Sequence, residues 1–210
     1  MLSALFFQFD VYQFIAFVTV IVIALSFHEY AHARMAFLLG DMTAVHAGRM
    51  TLNPLKHIDP LGAIAFLVIG FGWGRPVPVD LSHTSHPRKN DMLVAFAGPL
   101  MNIALAFFAF VIISFGLYPE QLEYFFKFFL GINITLAVFN MLPFSPLDGS
   151  HIVYNLLGAN SSPVARKYLY YSAPVFISLI GLDYIFHTNI LWSIISPVRD
   201  IILLIFHLIL

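Results

Sequence analysis

Two histidines and a glutamate early in the chain form the pattern HExxH, as His28, Glu29 and His32. Positions four apart on an α-helix lie on one face, about 40° and about 6 Å from each other. Two imidazoles placed in this way can bind one zinc ion, and the glutamate between them reaches the water on that ion. Because zinc lowers the pKa of its water to about 7, Glu29 could act as the general base that takes the proton.

The setting of this pattern favours a functional role. HExxH has only three fixed letters and arises by chance in many chains. Here the pattern ends the uncharged stretch 11–28, which reads as a membrane span. An ionisable side chain inside a span costs roughly 2.5 kcal/mol or more unless it has a partner. Because this free-energy cost makes unpartnered His28, Glu29 and His32 unfavourable, the setting favours a metal site. Its third ligand must come from elsewhere in the chain.

Asp148 is the candidate third ligand. It follows the uncharged stretch 128–147, and Pro143, Pro146 and Gly149 around it should break a helix. Broken backbone at membrane depth is tolerated only where it lines protein or a water-filled cavity. The alternative is an ordinary loop at the end of a span, with Asp148 in solvent. Two histidines, one carboxylate and an open water position would make a catalytic zinc site.

The composition indicates an integral membrane protein. Hydrophobic residues make up 60% of the 210 residues and charged residues 10%, while an average soluble domain has about 25% charged residues. The mean hydropathy is +0.87. So few charges cannot coat a soluble globule, which excludes a soluble enzyme. The net charge of −1 offers no basic surface to nucleic acid, and the absence of cysteine excludes disulfides and thiolate metal sites.

Uncharged stretches predict the membrane spans. Crossing a bilayer as a helix takes about 20 apolar residues, so the short stretch 61–74 is more typical of a re-entrant segment. If that stretch enters and leaves on one side, every basic residue except Lys127 falls on one face, as cytoplasmic loops require. We therefore predict an all-α fold of five spans and a re-entrant segment, with six full spans as the alternative. The stretches are 11–28 (continuing as a helix to 39), 61–74, 92–119, 128–147, 168–182 and 184–198.

Two segments beside the re-entrant stretch are predicted to be extended. Residues 48–54 read as strand and turn, and the prolines at positions 76 and 78 prevent a helix over 75–80. The two segments could pair as a small sheet at the membrane surface. In the five-span arrangement the first and third spans run parallel. The HExxH pattern and Asp148 therefore reach the same depth on the inner side, as a shared metal requires.

Together these motifs resemble the site-2 protease family of intramembrane zinc metalloproteases. The resemblance is to the short bacterial and archaeal type without PDZ or CBS domains, and it covers about residues 20–155. Any one motif would be weak evidence, whereas their common order and spacing is specific. The matching segments are residues 28–32, 48–60, 72–79, 97–102 and 140–149.

The resemblance assigns roles to individual residues. It implies that His28, His32 and Asp148 hold one Zn²⁺ per chain and that Glu29 is the general base. It also implies that Asn140, in the pattern NxxPxxxxDG, positions substrate or stabilises the oxyanion. An amide that joins two helices is an equally open explanation of Asn140. The segments 47–58 and 75–80 would receive an unfolded substrate by strand addition.

The resemblance also implies an organisation and an activity. Residues 1–210 would form one intramembrane protease domain, with a catalytic core of about 11–155 and peripheral helices at about 164–210. The substrate would be the transmembrane segment of another protein in the lipid bilayer, cleaved toward the cytoplasmic side of a prokaryotic plasma membrane. The rival hypotheses are a membrane metal transporter or scaffold, which gives Glu29 no separate role, and an inactive relative that only holds membrane partners. The sequence names neither the substrate nor the oligomeric state.

Other polar residues are expected to have mainly structural roles. His57 and Asp59 should cap or brace a turn, and Asn102 should join packed helices. His151 should be solvated, with a contact to the surroundings of Asp148 as the alternative.

Overall fold

The computed structural model of the protein describes residues 10–69 and 72–210, which contain eight α-helices. Short 3₁₀ turns lie at Pro54–Lys56, Glu120–Leu122 and Ala159–Ser161. The α-helices are α1 (Val11–Leu38), α2 (Thr43–His46), α3 (Pro60–Ile69), α4 (Pro87–Ser114), α5 (Glu123–Asn140), α6 (Asp148–Leu156), α7 (Pro163–Phe186) and α8 (Ile190–Ile209).

Five of the described helices are long and apolar enough to cross a membrane. They are α1, α4, α5 with the 3₁₀ turn before it, α7 and α8, with lengths of 20 to 28 residues. This confirms the prediction of a mainly helical, multi-pass membrane protein with five such helices. Helix α3 has 10 residues, about half of what a full crossing needs, so the six-span alternative gains no support. Its re-entrant course stays a prediction.

The predicted end of the last span was wrong because charged side chains lie inside its helix, α8. The stretch 184–198 was expected to stop before Arg199, yet α8 begins at Ile190 and continues to Ile209. Arg199 donates to Asp200 over 2.8 Å and lies 5.0 Å from the centre of the Trp192 ring. An ion pair and a ring contact within the helix make these charges compatible with it. A criterion based on uncharged stretches cannot detect such pairs.

The predicted small sheet is not supported. The described residues contain no strand. One isolated antiparallel bridge joins Ile58, which follows the first segment, to Gly74, which precedes the second. The prolines at 76 and 78 have no N–H to give to a ladder. The carbonyl groups of residues 75 and 76 and the N–H of Val77 are bound by side chains, as described below, while the N–H of Arg75 donates to the carbonyl oxygen of His57 over 2.8 Å. Part of the other segment forms the 3₁₀ turn Pro54–Lys56.

The centre of the molecule is the junction of α1, α4 and α5. Val20 of α1, Ala109 of α4 and Phe129 of α5 form one buried cluster there. Much of the buried face of α1 is alanine, which lets neighbouring helices approach closely. Helix α8 packs on α4 and α5 through Phe206, which contacts Phe110. The HExxH pattern lies on the buried face of α1, within this junction.

Candidate metal centre

Three side chains from two distant parts of the chain meet at one point. The Nε2 atoms of His28 and His32 are 3.0 Å apart. The carboxylate of Asp148 lies 3.2 Å from Nε2 of His28 through Oδ2 and 3.4 Å from Nε2 of His32 through Oδ1. His28 is 4% exposed and the Asp148 side chain 19%. The cluster is thus nearly enclosed, and its carboxylate is its most open member.

A tight turn brings Asp148 to the histidines. Helix α5 ends at Asn140, and α6 begins at Asp148 itself. At Gly149 a Cβ atom would lie 2.3 Å from the carbonyl oxygen of Met141 and 2.4 Å from that of Leu142. Only glycine therefore allows the start of α6 to pack against the end of the preceding turn. This packing places the carboxylate at the buried end of α6.

Helix α4 approaches the two imidazoles at Gly98. A Cβ atom there would lie 2.4 Å from Nε2 of His32 and 2.6 Å from Cε1 of His28. No side chain fits at this position without displacing the rings. The matching segment 97–102 contains this glycine, but the sequence did not indicate its contact with the imidazoles. That contact depends on how α1 and α4 pack.

The protonation of the rings suits a metal ion. Nδ1 of His32 lies 2.7 Å from the carbonyl oxygen of Val94, so this nitrogen carries the proton and Nε2 has a free lone pair. Nδ1 of His28 lies 2.6 Å from Oδ1 of Asn102. In the neutral rings the two Nε2 lone pairs and the anionic carboxylate therefore converge. Such an arrangement is repulsive unless a cation lies among the three groups.

The donor set fits zinc. Oδ2 of Asp148 is buried and makes no hydrogen bond, so this acceptor lacks the partner that a buried polar atom requires. The ligand atoms of His28, His32 and Asp148 all lie within 4.8 Å of one another, close enough for one ion. Two imidazoles and one carboxylate are a known ligand set of catalytic zinc, which keeps a further position open for water.

Glu29 lies beside the cluster and contacts the extended segment 75–80. Its Oε2 atom accepts a hydrogen bond of 2.9 Å from the backbone N–H of Val77. The residue is buried. The carboxylate is therefore held by a backbone donor, and no feature of the sequence indicated this contact.

A second side chain holds the same segment. Nη2 of Arg49 donates to the carbonyl oxygen of Arg75 over 2.6 Å and to that of Pro76 over 3.2 Å. Burial, together with the positive charge of Arg75, lowers the pKa of Arg49. Arg49 and Glu29 thus bind consecutive peptide groups of one extended stretch, Arg49 through two carbonyls and Glu29 through an N–H.

Asn140 lies at the C-terminal end of α5, and its placement assigns it no role. Its Nδ2 atom donates to the carbonyl oxygen of Leu136 over 3.0 Å, within its own helix. Among the described residues, no hydrogen bond joins Asn140 to the three-residue cluster or to Glu29.

The residues that were expected to brace a turn do so. His57 is fully buried, and its Nε2 atom lies 2.7 Å from the carbonyl oxygen of Thr51. Oδ1 of Asp59 accepts from the N–H of Gly62 over 2.9 Å in the first turn of α3. These contacts fix the loop that leads into α3.

His151 takes part in a polar cluster one turn after Asp148. Its Nδ1 atom lies 3.2 Å from Oδ2 of Asp91, which also accepts from Asn155. The hydrogen bond with Asp91 raises the pKa of His151. The cluster lines a cavity of about 390 Å³ between α6 and the start of α4, with Arg88 and Tyr154 at its wall.

Comparison with known proteins agrees with the geometry. The model of Peptidase family M50 matches residues 116–181. YwhC of Bacillus subtilis is 36% identical over 198 residues, which are 90% of this chain and 90% of YwhC. Rip2 of Mycolicibacterium smegmatis is 29% identical over 70% of this chain and 57% of Rip2. MJ0611 of Methanocaldococcus jannaschii is 34% identical over 60% of this chain and 63% of MJ0611. All three relatives are named as zinc metalloproteases, and no solved structure matches the chain.

Proposed function

The chain belongs to peptidase family M50, the family of the site-2 proteases, and we propose that it hydrolyses peptide bonds within the transmembrane segments of other membrane proteins. One observation above all supports this proposal. His28, His32 and Asp148 converge with Nε2 and carboxylate atoms facing one another, and Glu29 lies next to them on the same helix. The same four residues are those that the resemblance assigns to zinc binding and base catalysis.

In the proposed site each residue has a distinct duty. His28, His32 and Asp148 would hold the zinc ion, which when bound would supply a Lewis acid and an acidified water. Glu29 would accept a proton during attack on the peptide carbonyl and would return it to the leaving amine. The N–H of Val77 keeps the Glu29 carboxylate oriented for both transfers.

The surroundings of the site support a membrane-embedded substrate. An apolar groove of about 590 Å³ lies between α1, α3 and α5. Leu25, on its wall, is one helical turn before Glu29, and Gly74 on the same wall precedes the segment that contacts Glu29. An apolar chain in the groove would therefore come close to the catalytic base. Its helix must unwind there, because a helical backbone hides its carbonyl groups from attack.

We place the active site toward the cytoplasmic side of a prokaryotic plasma membrane. Asp148 follows the end of α5 that is opposite to Lys127. Apart from Arg199, which lies inside α8, the remaining basic residues, including Arg88 and Lys89 at the start of α4, fall on the face that Asp148 shares in the five-span arrangement. Cytoplasmic loops collect Lys and Arg, which supports this orientation.

Glu29→Gln tests the proposal. The full chain is reconstituted in liposomes with a single-span test protein whose span contains a central Asn-Gly or Pro. We expect the wild type to cleave within the span, and Glu29→Gln to retain zinc while cleavage falls by at least about 100-fold. Glu123→Gln, an exposed glutamate of α5 paired with Lys127, is the matched control and should cleave normally.

Two outcomes would contradict the proposal. Unimpaired cleavage by Glu29→Gln would exclude this residue as the base. A wild-type protein that moves zinc across the liposome membrane and cleaves no substrate would be a transporter with the same ligands.

A further inference from the structure

We propose that Asn102 is a positioning residue for His28, and that Asn133 holds Asn102 in the orientation that this task requires. The inference rests on the proposed zinc site and goes beyond the ligands and the base. It assigns a chemical role to Asn102, which was expected to join packed helices, and to Asn133, for which the sequence suggested no role.

The two asparagines form a continuous chain of hydrogen bonds between three helices. Both are fully buried, Asn102 in α4 and Asn133 in α5. Oδ1 of Asn102 lies 2.6 Å from Nδ1 of His28. Nδ2 of Asn102 donates to the carbonyl oxygen of Ala24 over 3.2 Å and to Oδ1 of Asn133 over 3.0 Å. Nδ2 of Asn133 in turn donates to the carbonyl oxygen of Phe129 over 2.9 Å.

This chain has only one consistent direction. A backbone carbonyl can only accept, so the contact with Phe129 requires the amino group of Asn133 and turns its Oδ1 toward Asn102. Asn102 must then present its own amino group to Asn133 and to Ala24. A reversed Asn102 would set its oxygen against both of these acceptors. Its Oδ1 atom is therefore the group that faces His28.

The consequence for His28 is a single tautomer. An acceptor at 2.6 Å requires the proton on Nδ1, which leaves the Nε2 lone pair directed at His32 and Asp148. His32 obtains the same tautomer from the carbonyl of Val94. Outer partners of this kind orient a ligating imidazole and increase its basicity. Without Asn102, His28 could carry its proton on Nε2, where it would oppose metal binding.

The role differs from that of a polar link between helices. Such a link would contribute to the stability of the bundle and leave the metal site unaffected once the protein is folded. Asn90 provides a matched comparison, because it is a buried asparagine of the same helix α4. No hydrogen bond joins its side chain to either histidine among the described residues.

The test compares Asn102→Leu with Asn90→Leu in the purified full chain. Zinc affinity is measured by competition with a chromophoric chelator, and the site is also loaded with Co²⁺ for its visible spectrum. We expect Asn102→Leu to weaken zinc binding by about 10- to 100-fold and to change the cobalt spectrum. Asn90→Leu should stay within about threefold of the wild type. Wild-type affinity and spectrum in folded Asn102→Leu would overturn the proposal.

Asn102→Ala decides the matter if Asn102→Leu does not fold. The alanine removes the acceptor that faces His28 without adding a bulky apolar side chain, so zinc affinity should again fall by about 10- to 100-fold and the cobalt spectrum should change. Wild-type zinc affinity and an unchanged cobalt spectrum in this variant would overturn the proposal.

Asn133→Leu tests the second half of the inference. This residue does not touch His28, yet its loss frees Asn102 to rotate, so we expect about a tenfold loss of zinc affinity. A result equal to that of Asn90→Leu would remove Asn133 from the proposal. The metal readouts need no substrate. A wild type that binds zinc and cleaves nothing would thus contradict the proposed function alone, and one that binds no zinc would contradict both.

Discussion

Oε2 of Glu29 accepts a hydrogen bond of 2.9 Å from the backbone N–H of Val77, which joins the HExxH helix to the extended segment 75–80. Arg49 binds the same segment by donating to the carbonyl oxygens of Arg75 and Pro76. The proposed base and the proposed substrate-binding segment are therefore in direct contact. A substrate that pairs with the segment would act on the base through one hydrogen bond.

Val77→Pro should reduce turnover without loss of zinc. The variant removes the N–H that orients Glu29, and Pro78 already restricts residue 77 to extended conformations that proline can adopt. We expect kcat to fall on the order of tenfold or more, because orientation is part of what a general base contributes. The measurement is cleavage of a single-span protein in liposomes, together with metal content. Val77→Ala, which keeps the N–H, is the control, and an undiminished kcat in Val77→Pro would show that the contact is not needed.

Asp148→Asn should release the metal. The amide has nearly the same shape and no negative charge, so two imidazoles alone would face the ion. We expect zinc affinity to fall by at least about 100-fold, more than the loss of an outer partner usually causes. Zinc is determined by mass spectrometry of the purified protein and by chelator competition. Asp200→Asn, on the exposed side of α8, should retain full zinc content, and stoichiometric tight zinc in Asp148→Asn would remove Asp148 from the ligand set.

Gly98→Ala should damage the same site through sterics alone. The added methyl group would overlap Nε2 of His32 and Cε1 of His28, so either α4 or the rings must move. Overpacking of this kind costs about 1–3 kcal/mol, and we expect zinc affinity and cleavage to fall on the order of tenfold. At Gly131 of α5 a Cβ atom meets nothing within 4 Å. Gly131→Ala should therefore keep both activities and raise thermal stability slightly, and equal behaviour of the two variants would refute the close approach.

Asn140→Ala separates the two explanations of this residue. If Asn140 contacts the substrate, kcat or KM should change by about tenfold while zinc affinity and thermal stability stay constant. If it only supports the end of α5 through Leu136, the melting temperature should fall and the kinetic constants of the folded protein should not change. Thermal unfolding and substrate titration are run on the same preparation. A kinetic effect would assign Asn140 to the substrate, and a stability effect alone would assign it to the end of α5.

The local parts of the site were predictable and its contacts between helices were not. The spacing of His28 and His32 fixes their common face by helix geometry, and the charge of Asp148 after a long uncharged stretch drew attention to it. Gly98 and Asn102 lie four residues apart on α4, a hint that could have pointed to one shared face. Their significance appears only when α1 and α4 are packed together, which no periodicity within one helix reports.

In the fold, too, properties of single segments were predictable and contacts between segments were not. Hydropathy and length were sufficient for the five long helices, since crossing a bilayer demands both. The prediction of a small sheet gained no support. It was based on the alternating prolines at 76 and 78, which were taken as a sign of an extended segment that could pair. The same prolines remove two of the donors that a strand needs, and the side chains of Glu29 and Arg49 bind the N–H of Val77 and the carbonyl groups of residues 75 and 76.

The carboxylate that completes the cluster stands at the first residue of α6, while both imidazoles stand in α1. During synthesis the early helix can enter the membrane long before its counterpart has been translated. A nascent or prematurely terminated chain thus contains the two imidazoles without the carboxylate that completes the cluster. The three-residue cluster can therefore form only after residue 148 has been synthesised, so a shorter chain lacks the proposed metal site.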